Sequence, residues 1–312
     1  MVNRQVSTFL FFFGILLSGT TLVAQQVRVP GTKVSMAPPA GFAASAQYPG
    51  FERQSEGATI MVTELPVPSV DMIRTMTAQN LATKGMQVLS SEAITLNGKP
   101  ARVLHVRQRA KAEEVLKWLL VAGDERITVM VVGTFPTGSA KTTGDAIRTA
   151  ILSTTWNAAS PDPFEGLPFR INASRRLKLA QRVSNMLMFT ETGTTGTPGT
   201  SEALFIAGHS IGRGQIDDLK SFSETRARQT TILKGLKNVT GKPVQIDGLA
   251  AYELEADGVD ARTGVALRLY QVIVPDDTGY VILQGLSRAE VATEMFAEFR
   301  ALTASFRQTD AK

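Results

Sequence analysis

The sequence contains no cysteine in 312 residues and only two histidines, His105 and His209. The first absence excludes a disulfide framework, a thiol nucleophile and any thiolate metal site. The second leaves too few imidazoles for a histidine-rich metal centre. Aromatic residues are sparse at 7%. The body of the chain also lacks the run of roughly 18 apolar residues from which a membrane-spanning helix is read. What remains is 43% hydrophobic and 20% charged, a globular rather than disordered composition. The length allows one large domain or two, each able to bury a core of its own. Neither a metal nor another cofactor is expected from this inventory.

The N-terminus is built differently from the rest. Arg4 gives a short positive region, residues 9–17 (Phe-Leu-Phe-Phe-Phe-Gly-Ile-Leu-Leu) an apolar core, and residues 18–24 end in the small side chain of Ala24. This is the layout of a secretory signal peptide cleaved before Gln25. The alternative, an uncleaved anchor, has a segment short for a span. With no cysteine after the apolar core, a lipoprotein anchor is excluded. The expectation is a periplasmic or secreted protein, and the lack of cysteine fits a bacterial periplasm better than a disulfide-stapled scaffold.

The chain resembles itself at an offset of about 150 residues. Ala93-Ile-Thr-Leu-Asn-Gly98 lines up with Pro243-Val-Gln-Ile-Asp-Gly248. Asn-Gly or Asp-Gly closing an alternating apolar run is a strong hairpin signal. Each is followed by a strand pair, 101–109 with 116–122 and 251–256 with 265–274. A polar turn, another strand (127–133 or 280–285) and a helix (144–156 or 289–306) come next. In those helices Ala146, Thr149, Leu152 and Trp156 are expected to match Phe296, Phe299, Leu302 and Phe306. Upstream, helices over 70–84 and 219–234 are expected to stop at Gly85 and Gly235. The divisions that follow are a leader at 1–24, a first module at 25–156, a linker at 157–163, a second module at 164–307 and a tail at 308–312. The linker carries Pro161 and Pro163, as domain boundaries do. The Thr/Gly-rich stretch 190–200 reads as a mobile hairpin tip.

Antiparallel meanders with helices packed on them define an α+β class, here two tandem αβα sandwiches. This order of elements resembles the PsbP-like superfamily. The carriers are the Asn97-Gly98 and Asp247-Gly248 hairpins, the strand with Lys117-Trp118-Leu119, and the terminal helices with Ser153, Trp156, Ser305 and Phe306. The resemblance covers nearly all of the mature chain, twice. It implies a non-enzymatic binding or accessory protein, as the extrinsic subunits of photosynthetic complexes and many exported bacterial proteins are. It transfers no functional residue, because no functional motif matches.

Three stretches imitate catalytic motifs. Gly208-His-Ser-Ile-Gly212 spells the nucleophile turn of a serine hydrolase, in which the acid and then a histidine follow the serine along the chain. No histidine follows Ser210, and Gly212-Arg-Gly-Gln215 delays the next helix, so a glycine-rich loop is expected, with a serine hydrolase as the alternative function. Gly133-Thr-Phe-Pro-Thr-Gly138 followed by Lys141-Thr142 imitates a phosphate loop, but two residues separate glycine from lysine, which the phosphate-cradling geometry does not allow. A loop and helix cap are expected. His105 falls opposite the face defined by Leu104 and Val106, beside no second ligand, and is expected on the more polar side of its strand as a surface or interlayer residue.

Charge is uneven. Residues 25–160 hold 14 Lys and Arg against 10 Asp and Glu, whereas 161–312 hold 18 of each. The excess gathers at Arg102, Arg107, Arg109 and Lys111, the candidate partner-binding residues. Two readings stand: cations that keep a strand edge from aggregating, or a basic face for an envelope protein or anionic surface. Nucleic acid is not an expected partner of an exported protein without a basic helix or stacking motif. A second run, Arg175, Arg176, Lys178 and Arg182, is expected to decorate a strand edge.

Overall fold

The computed structural model describes residues 25–110, 113–156, 160–195, 202–212 and 214–309. The leader expected at 1–24, Lys111, part of the linker and residues 196–200 of the Thr/Gly-rich tip lie outside the described residues. Among the described residues, no helix is long and apolar enough to cross a membrane.

The first module contains β1 (Val27–Arg28), β2 (Val34–Met36), β3 (Ala43–Ala44), β4 (Gly50–Arg53) and β5 (Ala58–Leu65). Two short helices follow, α1 (Ser69–Thr75) and α2 (Ala78–Ala82). The meander is β6 (Met86–Leu96), β7 (Lys99–Ala110), β8 (Glu113–Gly123) and β9 (Thr128–Pro136). Then come α3 (Asp145–Leu152) and β10 (Thr155–Trp156). The second module repeats the plan with β11 (Phe169–Arg170), β12 (Lys178–Val183), β13 (Met186–Thr190), β14 (Leu204–His209) and α4 (Leu219–Arg228). Its meander is β15 (Leu233–Ile246), β16 (Leu249–Asp260), β17 (Ala266–Asp276) and β18 (Gly279–Arg288), closed by α5 (Ala292–Ala304) and β19 (Arg307–Gln308).

Each module is built on a seven-stranded sheet, in the orders β3-β4-β5-β9-β8-β7-β6 and β12-β13-β14-β18-β17-β16-β15. Every pairing in both is antiparallel. Both hairpins read from Asn-Gly and Asp-Gly are present: Asn97 and Gly98 have φ of 49° and 72°, Asp247 and Gly248 of 52° and 79°. Consecutive positive φ angles are what a type I′ turn requires. In addition, β10 pairs with β2, and β19 with β11, so the last strand of each module binds its first strands.

Helices cover both faces of each sheet, which makes two αβα sandwiches. In module one Val103, Leu120, Val131 and Phe135 meet Ile147 and Ile151 of α3, while Leu104, Val106, Leu119 and Val121 meet Met76 and Leu81 beside the short helices. In module two Phe205, Tyr270, Val272 and Leu283 pack under Met295, Phe299 and Leu302 of α5; Leu254, Ala256 and Leu269 pack against Ala227 of α4. Glycine marks the closest approach of helix and sheet in each copy. A Cβ on Gly133 would collide with Ile147, and one on Gly285 would stand under 3.0 Å from the Phe299 ring.

That equivalence corrects the helix alignment. Leu104 pairs with Leu119, but Leu254 pairs with Gln271, so the β16–β17 hairpin is two residues longer than β7–β8. Beyond it, Ile147 corresponds to Phe299, and Thr154, which is fully buried, to Phe306. Thr149 is exposed and Trp156 lies in β10, so neither takes the core place expected of it.

The upstream helices also differ from expectation. In module one the run breaks at Met76, and Thr77 caps a new helix by accepting the Asn80 amide at 3.2 Å. In module two Asp218 caps α4 by accepting the Ser221 amide at 3.0 Å, and the helix ends at Arg228. Gly235, with φ of 65°, lies inside β15 at an irregularity in its pairing with β16.

Candidate functional site

The two modules meet at a polar joint organised by Arg182 on β12. Its Nε donates to the Ser184 carbonyl at 2.6 Å, and one terminal nitrogen donates to the carbonyls of Pro163 and Glu165 at 3.0 and 2.6 Å. The guanidinium lies against Gly31 of module one so closely that no Cβ fits there, and Gly31 has φ of 71°. Glu165 reaches back across the joint, pairing with both terminal nitrogens of Arg28 and accepting the Gly31 amide at 3.2 Å. Burial draws the Arg182 guanidinium down to about 10, against the opposing pull of Glu165, Glu64 and Asp162, so it stays charged at neutral pH. Burial also raises Glu64, opposed by the Lys33 amide that its carboxylate accepts at 2.9 Å.

Arg182 is therefore not the edge decoration expected of it. The backbone carbonyls it ties lie up to 19 residues away, and its cover is a glycine in the other module. The rest of that basic run divides: Arg176 bridges Glu191 at 2.6 Å and Glu294 at 2.8 Å, a surface role.

Beside the joint opens a cleft of about 760 Å³. Module one contributes Lys33, Glu64, the β8–β9 turn with Asp124 and Arg126, and Trp156; module two contributes Gln181 and Arg182. The turn is rigid, because the Asp124 carboxylate accepts the amides of Arg126 and Ile127 at 2.8 and 3.0 Å. Charges of both signs, an indole and a volume in the range of ligand pockets make this the place where the chain can hold something else.

A second set of cross-module contacts lies where the hydrolase-like turn was expected. Gln47 of module one donates to the Thr278 carbonyl at 3.0 Å and accepts from Asn185 at 3.2 Å. Asn185 also donates to the carbonyl of His209. The His209 ring is buried, and its Nε2 stands 2.8 Å from Asp276 Oδ2 and 3.3 Å from the Thr278 hydroxyl. Burial would raise the Asp276 carboxyl, but the hydrogen bonds from His209 and Thr278 outweigh it and hold the group at about 2.

A histidine–acid pair thus adjoins Ser210, with the acid 67 residues downstream. It makes no triad. Among the described residues the other ring nitrogen, Nδ1, has no hydrogen-bond partner, and the Ser210 hydroxyl donates to the Gly212 carbonyl at 3.1 Å while accepting the Tyr280 amide at 3.2 Å. The serine pins a turn, and Gly279 leaves the space that its hydroxyl fills. A triad needs the serine on the free nitrogen of a histidine whose other nitrogen is held by the acid. A fluorophosphonate probe is therefore expected to leave Ser210 unlabelled in the folded protein; stoichiometric labelling at that residue, read by peptide mass spectrometry, would reinstate the hydrolase reading.

The other sequence candidates fall as follows. The phosphate-loop imitation is a tight lead into α3, in which Gly144 packs on the Phe135 ring and Thr143 donates to the Glu56 carboxylate at 2.6 Å. An acidic side chain occupies the neighbourhood a phosphate would need. His105 is on the α3 face, stacked on Trp118 at 4.2 Å with Phe135 beyond, and Arg148 lies 5.4 Å from the Trp118 ring centre. Burial first, and Arg107 second, push its pKa down. It is an interlayer residue on an aromatic face rather than a polar one.

Arg102, Arg107 and Arg109 do not form one patch. Side chains alternate along a strand, so Arg102 lies on the α1–α2 face and the other two on the α3 face. Arg102 pairs with Val121 near the β8–β9 turn, while Arg107 and Arg109 pair with Leu116 and Glu114 near the other end of β8. At the usual rise per residue that separates them from the cleft by roughly 25–35 Å. Arg107 is also bridged to Glu114 at 3.3 Å. Among the described residues no group of three or more acidic or histidine side chains could hold a metal ion.

Comparison with known proteins finds no matching family model and no matching curated protein. Several solved structures are similar to all or part of the chain. The cyanobacterial PsbP protein CyanoP from Synechocystis sp. PCC 6803 is 18% identical, covering 45% of this chain and 96% of its own, with a TM-score of 0.31. LpqN of Mycobacterium tuberculosis, described as involved in cell envelope biogenesis, is 12% identical over 45% of this chain and 83% of its own, at 0.30. The type VI secretion immunity protein TplEi of Pseudomonas aeruginosa is 11% identical over 92% of this chain and 97% of its own, at 0.36.

Proposed function

We propose that this chain is an exported, non-catalytic binding protein of the bacterial envelope, built from two PsbP-like modules that hold a protein partner in the cleft they share. The observation that carries the reading is the cleft itself. It is the large opening to which both modules contribute, and it is lined by Lys33, Glu64, Asp124, Arg126 and Arg182. Charges of both signs interleaved with Leu65, Pro66, Ile127 and Trp156 match the mixed polar and apolar character of a protein surface better than that of a lipid. Of the described basic residues singled out from sequence, Arg102 stands nearest its rim, and Arg107 and Arg109 lie toward the far end of β7. Export rests on the leader-like N-terminus. Absence of catalysis rests on the occupied hydroxyl of Ser210.

The test is photo-crosslinking in the native envelope from a residue analogue placed at Ile127, on the turn that borders the cleft. One discrete adduct is expected, and Arg126→Glu should abolish it while Arg107→Glu leaves it intact. Loss of the adduct through Arg107→Glu alone would move the site to the hairpin, and the absence of any adduct beyond self-crosslinks would overturn the reading.

A further inference from the structure

The internal repeat provides its own control for an interaction surface that has nothing to do with the cleft. β6 and β15 occupy the same outer edge of the two sheets. Their regular stretches correspond residue by residue: Ser90–Leu96 pairs in continuous register with 99–105, and Thr240–Ile246 with 249–255. An open edge invites another strand unless it is blocked by lysine, proline or bulges. β15 has all three. It carries Lys234, Lys237 and Lys242, two irregularities in pairing, and Pro243. β6 has no lysine and no proline, and a single irregularity between Val88 and Ser90. Its one charge, Glu92, is already bridged to Arg148 at 2.9 Å.

The prolines also reveal which peptide groups face outward. Pro243 pairs with Tyr252 and can sit in the ladder only with its nitrogen turned away from β16. Ala93 is its counterpart in β6. Independently, Pro100 opposes Thr95, which requires that pair also to turn its amides away from each other. Both arguments select the same alternate residues, so Ser91, Ala93 and Thr95 present their N–H and C=O groups to the open side. All three are exposed, and among the described residues no loop or side chain bonds to these groups.

We propose that this edge pairs with a second copy of the chain, β6 against β6 about a two-fold axis at Ala93, joining two seven-stranded sheets into one. In that register Ala93 meets the partner's Ala93, Ser91 meets the partner's Thr95, and Glu92 meets the partner's Ile94. No like charges stand directly opposite each other. The diagonal Glu92 approach is neutralised on each side by Arg148. Three hydrogen-bonded pairs form, roughly six main-chain bonds. The same operation on β15 would bring Lys242 diagonal to the partner's Lys242 and lose the two central donors to proline, so the edge chosen is the one in module one.

The absence of cysteine makes the register directly testable. Ala93→Cys places one thiol on each side of the axis, within the Cα separation that a disulfide spans. Sedimentation equilibrium of the mature wild type should give a dimer, and Ala93→Pro, which installs the residue that module two already tolerates, should halve the mass while the circular dichroism spectrum stays that of the folded chain. Mild oxidation should cross-link Ala93→Cys across the axis and leave Pro243→Cys, whose β6 edge is intact, dimeric but without a disulfide, which keeps the test valid even where the proline variant misfolds. A wild type that remains monomeric up to its solubility limit, a dimer unaffected by Ala93→Pro, or equal cross-linking through both cysteines would each overturn the proposal.

Discussion

Replacing Arg182 by leucine is expected to separate the unfolding of the two modules. Both tryptophans, Trp118 and Trp156, lie in module one, so tryptophan fluorescence follows that module alone while circular dichroism follows both. In the wild type the two transitions should coincide, because Arg182 ties the carbonyls of Pro163 at the end of the linker and of Glu165 just past it, and packs on Gly31 across the joint. Leucine supplies no donor, and the partly buried carbonyls of Pro163 and Glu165 each lose a hydrogen bond to a charged group, about 1.5–3 kcal/mol. The loss should fall on the coupling between modules, because Glu165 also holds Arg28 and the Gly31 amide of module one. The fluorescence and dichroism midpoints should then part, with each module still folding. Lysine should not restore the coupling, since a point ammonium cannot reproduce the guanidinium fork. Coincident transitions in Arg182→Leu would show that the joint carries no cooperativity.

Phe299→Ala should be the most damaging single truncation in module two, at about 3–5 kcal/mol. The ring is fully buried and contacts Phe205, Tyr270 and Phe296 at centroid distances of 5.7, 6.1 and 5.8 Å. Three aromatic neighbours cannot collapse into the space it leaves. The same wedge makes Gly285→Ala costly through overpacking, about 1–3 kcal/mol, because the added methyl meets the ring rather than the end of a flexible chain. Urea denaturation followed by circular dichroism measures both. A loss below about 1 kcal/mol in Phe299→Ala, within the range of a surface substitution, would mean that α5 is not anchored through this ring.

Local chemistry was legible in the sequence where it acts locally. Asn-Gly and Asp-Gly turns impose their own backbone angles, so the hairpins and the 150-residue repeat built on them could be read directly. The phase of the helices could not, because two extra residues in one hairpin move every later correspondence without disturbing a 3.6-residue period. Gly235 looked like a helix stop because a positive φ serves a strand irregularity equally well. Burial that depends on distant partners was invisible. Arg182 reads as one cation among four until Gly31 closes over it. His209 reads as isolated until Asp276 arrives at the end of β17, three strands later in the chain. His105 lies on the side of its strand that alternation assigns, but the polarity expected there fails because Trp118, directly opposite on β8, and Phe135 on β9 turn their rings to the same face.

The pairing of β10 with β2, and of β19 with β11, also bears on how such a chain can arise. In each module the strand that leaves the fold lies against the strands that enter it, so entrance and exit open at one place on the surface. A unit closed in this way can be copied in frame and joined head to tail without threading a loop or exposing a core. The duplicate then starts from the doorstep of the original. Once there, its free edges and its joint are the parts that can drift apart in sequence while the sandwich is preserved, and Pro243 stands where the first module has Ala93.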